Sequence, residues 1–138
     1  MGLVYADIEL INADDLALVR KHIIGEEVKR MNVSMLVDTG NVYMCINETV
    51  QEQLQLPIVE KRKGQLADGS IVEYEVAGPI EVRFKNRRCV VDAMVLQGGN
   101  ELLLGSIPLE DMDILIHPQR QELIVNPEHP YFAQMKMK

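Results

Sequence analysis

Between Arg30 and Val37 apolar and polar residues alternate, with Met31, Val33, Met35 and Val37 on one side and Arg30, Asn32 and Ser34 on the other. That period of two predicts a half-buried strand. The pattern also predicts a strand over Leu3–Ile11. Beyond Gly78-Pro79, Ile80, Val82 and Phe84 alternate with Glu81, Arg83 and Lys85, and Lys85-Asn86-Arg87 makes a turn. The returning strand, Arg88–Leu96, points Cys89, Val91, Ala93 and Val95 inward. Strands over Ile58–Leu66 and Ile71–Val76 flank Ala67-Asp68-Gly69-Ser70. Asp-Gly there predicts a tight hairpin with both central residues at positive φ. Short apolar strands are expected over Val42–Ile46 and Leu102–Leu104, separated from the preceding strand by a turn at Gln97-Gly98-Gly99-Asn100. A last hairpin pairs Asp113–His117 with Gln121–Val125.

Helices are few. Asn12 can cap one running to about Lys21, with Asp14 and Asp15 in its first turn, and Gly25-Glu26-Glu27 breaks it. Asn47 caps a second through Leu54, and Ser106 a third over Ile107–Met112. Many short strands with few helices predict an all-β domain, a small barrel or sandwich, over residues 1–127. Residues 128–138 read as a mobile tail.

Composition narrows the picture. A chain of 138 residues can bury one core, and 47% hydrophobic with 25% charged residues is ordinary globular usage. Without Trp, the interior falls to Val, Ile, Leu and the eight Met. A net charge of −7 argues against nucleic acid or an anionic membrane as a partner. The basic clusters Lys61-Arg62-Lys63 and Arg87-Arg88 lie beside turns and read as solvated hairpin ends. No apolar run approaches the ~20 residues of a membrane span. Met1–Asp7 lacks the basic region and apolar run of a signal peptide, and Ala6 stands where a myristoylation signal has Ser or Thr. A cytoplasmic location is the expectation.

Candidate chemistry sits at two strand ends. Asp38-Thr39-Gly40 follows apolar Leu36-Val37, and a carboxylate at the mouth of an apolar strand is costly unless hydrogen bonds or a task justify it. Gly40 allows a sharp turn that brings backbone N–H groups to the carboxylate. Leu103-Leu104-Gly105 ends a second apolar strand, with a helix start close behind.

The order of these features, Asp-Thr-Gly, an Asp-Gly hairpin, then Leu-Leu-Gly, resembles the retroviral-like (retropepsin-type) aspartic proteases, and most of all their small single-domain bacterial relatives. The resemblance spans about Val28 to Val125. It implies a closed β-barrel with one or two short helices, and a symmetric homodimer in which two chains build one active site. It further implies that Asp38 is the catalytic carboxylate, that Thr39 hydrogen-bonds across the two-fold axis, and that the Gly40 N–H meets the carboxylate. Asn41 and Leu104, with Ala67, Asp68 and Gly69 of a mobile flap, are implied to contact substrate, and Leu103 and Gly105 to support the Asp loop from beneath. The implied activity is peptide-bond hydrolysis, with a peptide or protein as substrate and no cofactor. Where retroviral members have Ala after the triplet this chain has Asn41, and Val42 and Ser106 replace their Asp–Arg ion pair. Asn41 therefore favours an alternative, a catalytically silent dimer of the same fold used for peptide binding or assembly.

Other chemistry finds little footing. His22, His117 and His129 have no metal-ligand spacing with one another or with Cys45 and Cys89, so metal: none is the expectation. Ser34, Ser70 and Ser106 lack a Gly-x-Ser-x-Gly context. Both cysteines read as small core residues, and Gly98-Gly99 as a turn rather than a phosphate loop.

Overall fold

Strand β1 (Tyr5–Asn12) is hydrogen-bonded on both edges. On one it pairs antiparallel with β2 (Arg30–Val37), Ile8 opposite Val33, and on the other with β5 (Ile71–Phe84), Leu10 opposite Val82. The computed structural model describes residues 2–23, 27–99 and 101–137. The expected helix break at Gly25-Glu26 and the Asn100 end of the expected turn lie outside them. Between β1 and β2 lies helix α1 (Ala13–Arg20). Asn12 caps it, accepting from Asp15 N at 3.0 Å, while its amide donates to Leu54 O at 2.8 Å.

After β2 come β3 (Cys45–Asn47), α2 (Glu48–Leu54), β4 (Ile58–Gln65), β5, β6 (Arg87–Leu96), β7 (Leu103–Leu104), α3 (Ser106–Met112), and the hairpin β8 (Ile114–His117) and β9 (Glu122–Val125). In the main sheet the order is β1-β2-β7-β3-β6-β5-β4, and the β1–β5 pairing brings it back on itself. β4 hangs off β5 at the edge. The inward residues of the alternating strands form one core, with Ile8, Leu10, Met35, Ile46, Ile80, Val82 and Leu104 fully buried. Each such side chain contributes about 1.5–3 kcal/mol when taken from water. The fold is mostly β, with few, short helices. Among the described residues no helix is long and apolar enough to cross a membrane.

Several expectations need correction. β3 begins at Cys45 rather than Val42, because the carbonyls of Asn41 and Val42 are taken by Ser106 N (2.8 Å) and Ile107 N (3.0 Å). Gly78-Pro79 does not end a strand. β5 runs through it with a register shift between Ala77 and Ile80, and Gly78 rests against Asp92, leaving no room for a side chain. Ser106 is the first residue of α3 and not its cap; Gly105 holds that position without a side-chain bond. Lys61-Arg62-Lys63 lies inside exposed strand β4, not at its end. Arg87 is buried, where a solvated turn residue was expected.

That burial belongs to the C-terminal segment. Arg87 Nη2 donates to His129 O and lies 4.0 Å from Asp113, and its Nε and Nη1 have no partner among the described residues. Asp113 accepts from Asn126 Nδ2 (3.0 Å) and Gln134 N (3.1 Å) and meets His129 Nδ1 at 2.7 Å. Burial alone would raise the Asp113 carboxyl, but these bonds outweigh it and hold it below the usual carboxylate range. Glu81, also missed by the sequence pattern, is buried on the outer face of β5 among Arg20 (3.6 Å), Arg83 (2.7 Å) and Arg88 (2.9 Å). There too burial opposes ionisation, and the bonds from Arg88 and Arg83 prevail to lower its pKa.

Candidate active site

Parallel pairing of β2 with β7 sets Val37 beside Leu104, and the two strands end together. Asp38 emerges there, its N–H donating to Leu104 O at 3.0 Å and its carbonyl accepting from Asn41 N at 3.1 Å. Its carboxylate Oδ1 accepts from Gly40 N at 3.1 Å. That bond closes the loop on itself and fixes the carboxylate's direction without burying it: Asp38 is half-buried, Thr39 and Gly40 exposed. Asn41 does not point freely into solvent. Its Nδ2 donates to Cys45 Sγ at 3.4 Å. Burial pushes the Cys45 thiol up, the Asn41 bond pulls it down, and the Asp38 charge adds to the rise.

Gly105 shows why a side chain is excluded beneath this loop. A Cβ there would lie 2.5 Å from Asn41 O and 2.8 Å from the Val42 carbonyl carbon, with Tyr43 O in the same range. Its φ of −87° is open to any residue, so the requirement is space alone. Ser106 N and Ile107 N then bond the loop carbonyls from below, in the place where the retroviral pattern has an ion pair.

Two grooves flank the loop. One, of about 700 Å³, runs from Gly40, Asn41, Val42, Tyr43 and Cys45 across to Arg62, Lys63, Gly64, Gln65 and Leu66 of the β4–β5 hairpin, with Tyr74, Met94, Leu96 and Leu103 as its floor and end. The other, of about 630 Å³, brings Asp38 and Thr39 together with Gly2, Leu3, Val4, Leu36, Val37, Ile116, Pro118 and Gln121. A third groove, about 670 Å³ and bordered by Lys61, Glu73, Glu75 and Gln97, lies away from Asp38 and its loop.

Asp38, Thr39, Gly40 and Asn41 thus form one loop, and Leu103 and Gly105 lie under it or at its side. Leu104 is placed differently from the expectation. It is fully buried, and Leu103, its neighbour on the opposite face, borders the groove. Ala67, Asp68 and Gly69 form the exposed hairpin tip and do not border either groove. The tip is not the expected two-residue turn. Gly69 N donates to Leu66 O (2.9 Å), Leu66 N to Ser70 O (2.8 Å), and only Gly69 has positive φ, +87°. This is a three-residue loop, a type I turn followed by a left-handed glycine. Asp68 stabilises it by accepting from Ser70 N (2.9 Å) and Ser70 Oγ (2.6 Å), which also lowers its pKa. Among the groove residues that the sequence pattern did not single out are Tyr43, Arg62 and Tyr74. Alternation along β4 placed Arg62, Gly64 and Leu66 on one face, a signal that was present.

The sequence pattern of the family described as "Aspartyl protease" matches residues 24–122, most of the chain, Asp38 loop, hairpin and Gly105 included. Among solved structures, the retroviral protease-like domain of Ddi1 from Leishmania major matches with a TM-score of 0.57 at 12% identity, covering 92% of this chain and 90% of that one. At that identity the likeness speaks for the fold, a retropepsin-like one. No curated protein matches the chain.

Proposed function

The chain belongs to the aspartyl protease family, and from that premise we propose that it is an aspartic endopeptidase acting as a symmetric homodimer. The observation that carries this reading is the Asp38 loop: a carboxylate at a strand mouth, aimed by the Gly40 N–H and open to a groove. One chain supplies one such carboxylate, and the chemistry needs two. The two-fold axis passes between the Asp38-Thr39 loops of two copies, where Thr39 and Leu3 are exposed. The return of the sheet from β5 to β1 supports a closed barrel for the protomer, with the β4–β5 hairpin as its flap.

Two carboxylates about 3 Å apart cannot both ionise cheaply, so the pair holds one proton and titrates as a unit. The ionised member takes a proton from water as the water oxygen attacks the scissile carbonyl carbon. The protonated member gives its proton to the carbonyl oxygen. Collapse of the tetrahedral diol breaks the C–N bond, with a proton passing to the leaving nitrogen.

Incubation with a diverse peptide mixture across about pH 4 to 7, beside Asp38→Asn, tests the reading. The wild type cleaves with a bell-shaped pH profile, lost at low pH when both carboxylates are protonated and at high pH when both are ionised. Asp38→Asn retains the dimer in sedimentation and loses cleavage by at least ~10³-fold. Equal cleavage by the variant overturns the assignment, and a cleaving monomer overturns the dimer. Binding without cleavage by the wild type leaves the peptide-binding module instead.

A further inference from the structure

Resting on the protease reading, we propose that this cleft selects extended peptides carrying an aspartate or glutamate side chain at one set distance from the scissile bond, read by Arg62. Among the described residues, two charged ones border the groove beside the Asp38 loop, Arg62 and Lys63, and no carboxylate does. Register separates the two. Arg62 pairs across the hairpin with Tyr74, whose ring leans over Gly64 on the same face, while Lys63 pairs with Glu73. Arg62 is thus the cationic side chain presented to the cleft in a protein of net charge −7.

Its posture suits a carboxylate. The guanidinium lies over the Tyr43 ring, its carbon 5.7 Å from the centroid, so the flap strand touches the loop that follows Asp-Thr-Gly. Its hydrogen bond to Glu60, 2.5 Å, goes through Nε, and Tyr43 is its other neighbour. Both partners of the Glu60 pair are about half exposed, 51% and 44%, so the attachment is weak and Arg62 can share itself with a second carboxylate.

Neighbouring charges set the side of Arg62 on which a carboxylate is accepted. The smaller groove that Arg62 also borders, about 210 Å³, carries Glu60 and Asp92, which repel an acidic side chain. The favoured place therefore lies in the larger groove, between Arg62 and the loop of Gly40 and Asn41.

The experiment uses ten-residue peptides with one apolar centre, in which a single Glu, Gln or Lys is stepped from one to five places away on either side. Cleavage is read with the wild type, and binding by fluorescence anisotropy with the dimeric Asp38→Asn chain. The expected result is a preference for Glu over Lys of about tenfold at one distance from the cut, on both sides as the two-fold axis requires, weakening with salt and reversing in Arg62→Glu. Arg62→Gln abolishes the preference with an unchanged unfolding midpoint, since Arg62 is exposed. Equal use of Glu, Gln and Lys peptides, or a preference that survives Arg62→Glu, overturns the inference while the protease reading stands. If no peptide is bound or cleaved, the protease reading fails and this one with it.

Discussion

Replacing Gly105 by alanine adds one methyl group at the most crowded point under the Asp38 loop. Gly105 has φ −87° and ψ −175°, extended backbone that alanine adopts freely, so the cost is not conformational. The added carbon would meet three backbone atoms, Tyr43 O, Asn41 O at 2.5 Å and Val42 C at 2.8 Å. Backbone cannot swing aside as a side-chain end can, and each atom must retreat by roughly 0.5–1 Å to reach ordinary contact. Overpacking of this kind costs about 1–3 kcal/mol. The retreat also pulls Asn41 O from Ser106 N and Val42 O from Ile107 N, two bonds worth about 1 kcal/mol each. A loss of about 3–5 kcal/mol follows, a large part of the roughly 5–15 kcal/mol of a typical domain. Urea unfolding reads it as a lower midpoint at unchanged slope. Gly69→Ala is the control with the opposite cause: open space around the site but φ +87°, so about 1–2 kcal/mol from backbone strain alone. A Gly105→Ala loss under about 1 kcal/mol, or one no larger than that of Gly69→Ala, refutes the steric account.

Three further outcomes follow from the same contacts. Glu81→Gln leaves Arg20, Arg83 and Arg88 around a neutral buried group and destabilises by about 2–3 kcal/mol near neutral pH, below the usual cost of breaking a buried pair because Arg20 and Arg88 can turn to water. Because the folded-state pKa of Glu81 is lowered, its contribution is full above the unfolded value of about 4.3 and is lost as pH falls through the folded value, so thermal melts of the two chains converge in acid. Asn12→Ala removes the α1 cap and the bond to Leu54 O, and urea unfolding shows a loss of about 2 kcal/mol. Hydrogen exchange in the free protein is faster at Ala67–Ser70 than at Val33–Val37; equal protection counts against a mobile hairpin.

Alternation was a sufficient guide wherever one face of a strand meets the core and the other meets water. β2 and the inward face of β6 follow it, and both asparagine caps were legible because a cap is a local bond. It failed where neighbours far along the chain decide. Glu81 and Arg87 sit at positions that read as outward, and both are covered by segments distant in sequence, α1 and the C-terminal residues. Val42 and Tyr43 have strand-forming side chains, but their loop's carbonyls are claimed by the start of α3 some 65 residues on. The Asp-Thr-Gly loop could be read because its essential bond, Gly40 N to Asp38 Oδ1, spans two residues. The face of Leu104 could not, since a two-residue strand carries no period.

A loop that fixes a carboxylate and an exposed edge hairpin make opposite demands on stability, and this chain distributes its bonds accordingly. Asp38 is held at its N–H by Leu104 O, at its carbonyl by Asn41 N and at its side chain by Gly40 N, over a layer where even a methyl group does not fit. A carboxylate so fixed need not reorganise as charge moves during a reaction. β4, by contrast, is an edge strand whose residues are almost all exposed, and its tip is closed by three hydrogen bonds from Ser70 and Gly69 and one within the Leu66–Ser70 pair. Little apolar area is lost when it lifts, so opening draws on the low end of the local stability range. The contact of Arg62 with Tyr43 is the tie between the two parts, and it is an exposed one. On the protease reading proposed above, tightening it would slow entry of a peptide and loosening it would admit water, so a contact that a substrate itself can engage is the physically economical place to couple closure to binding.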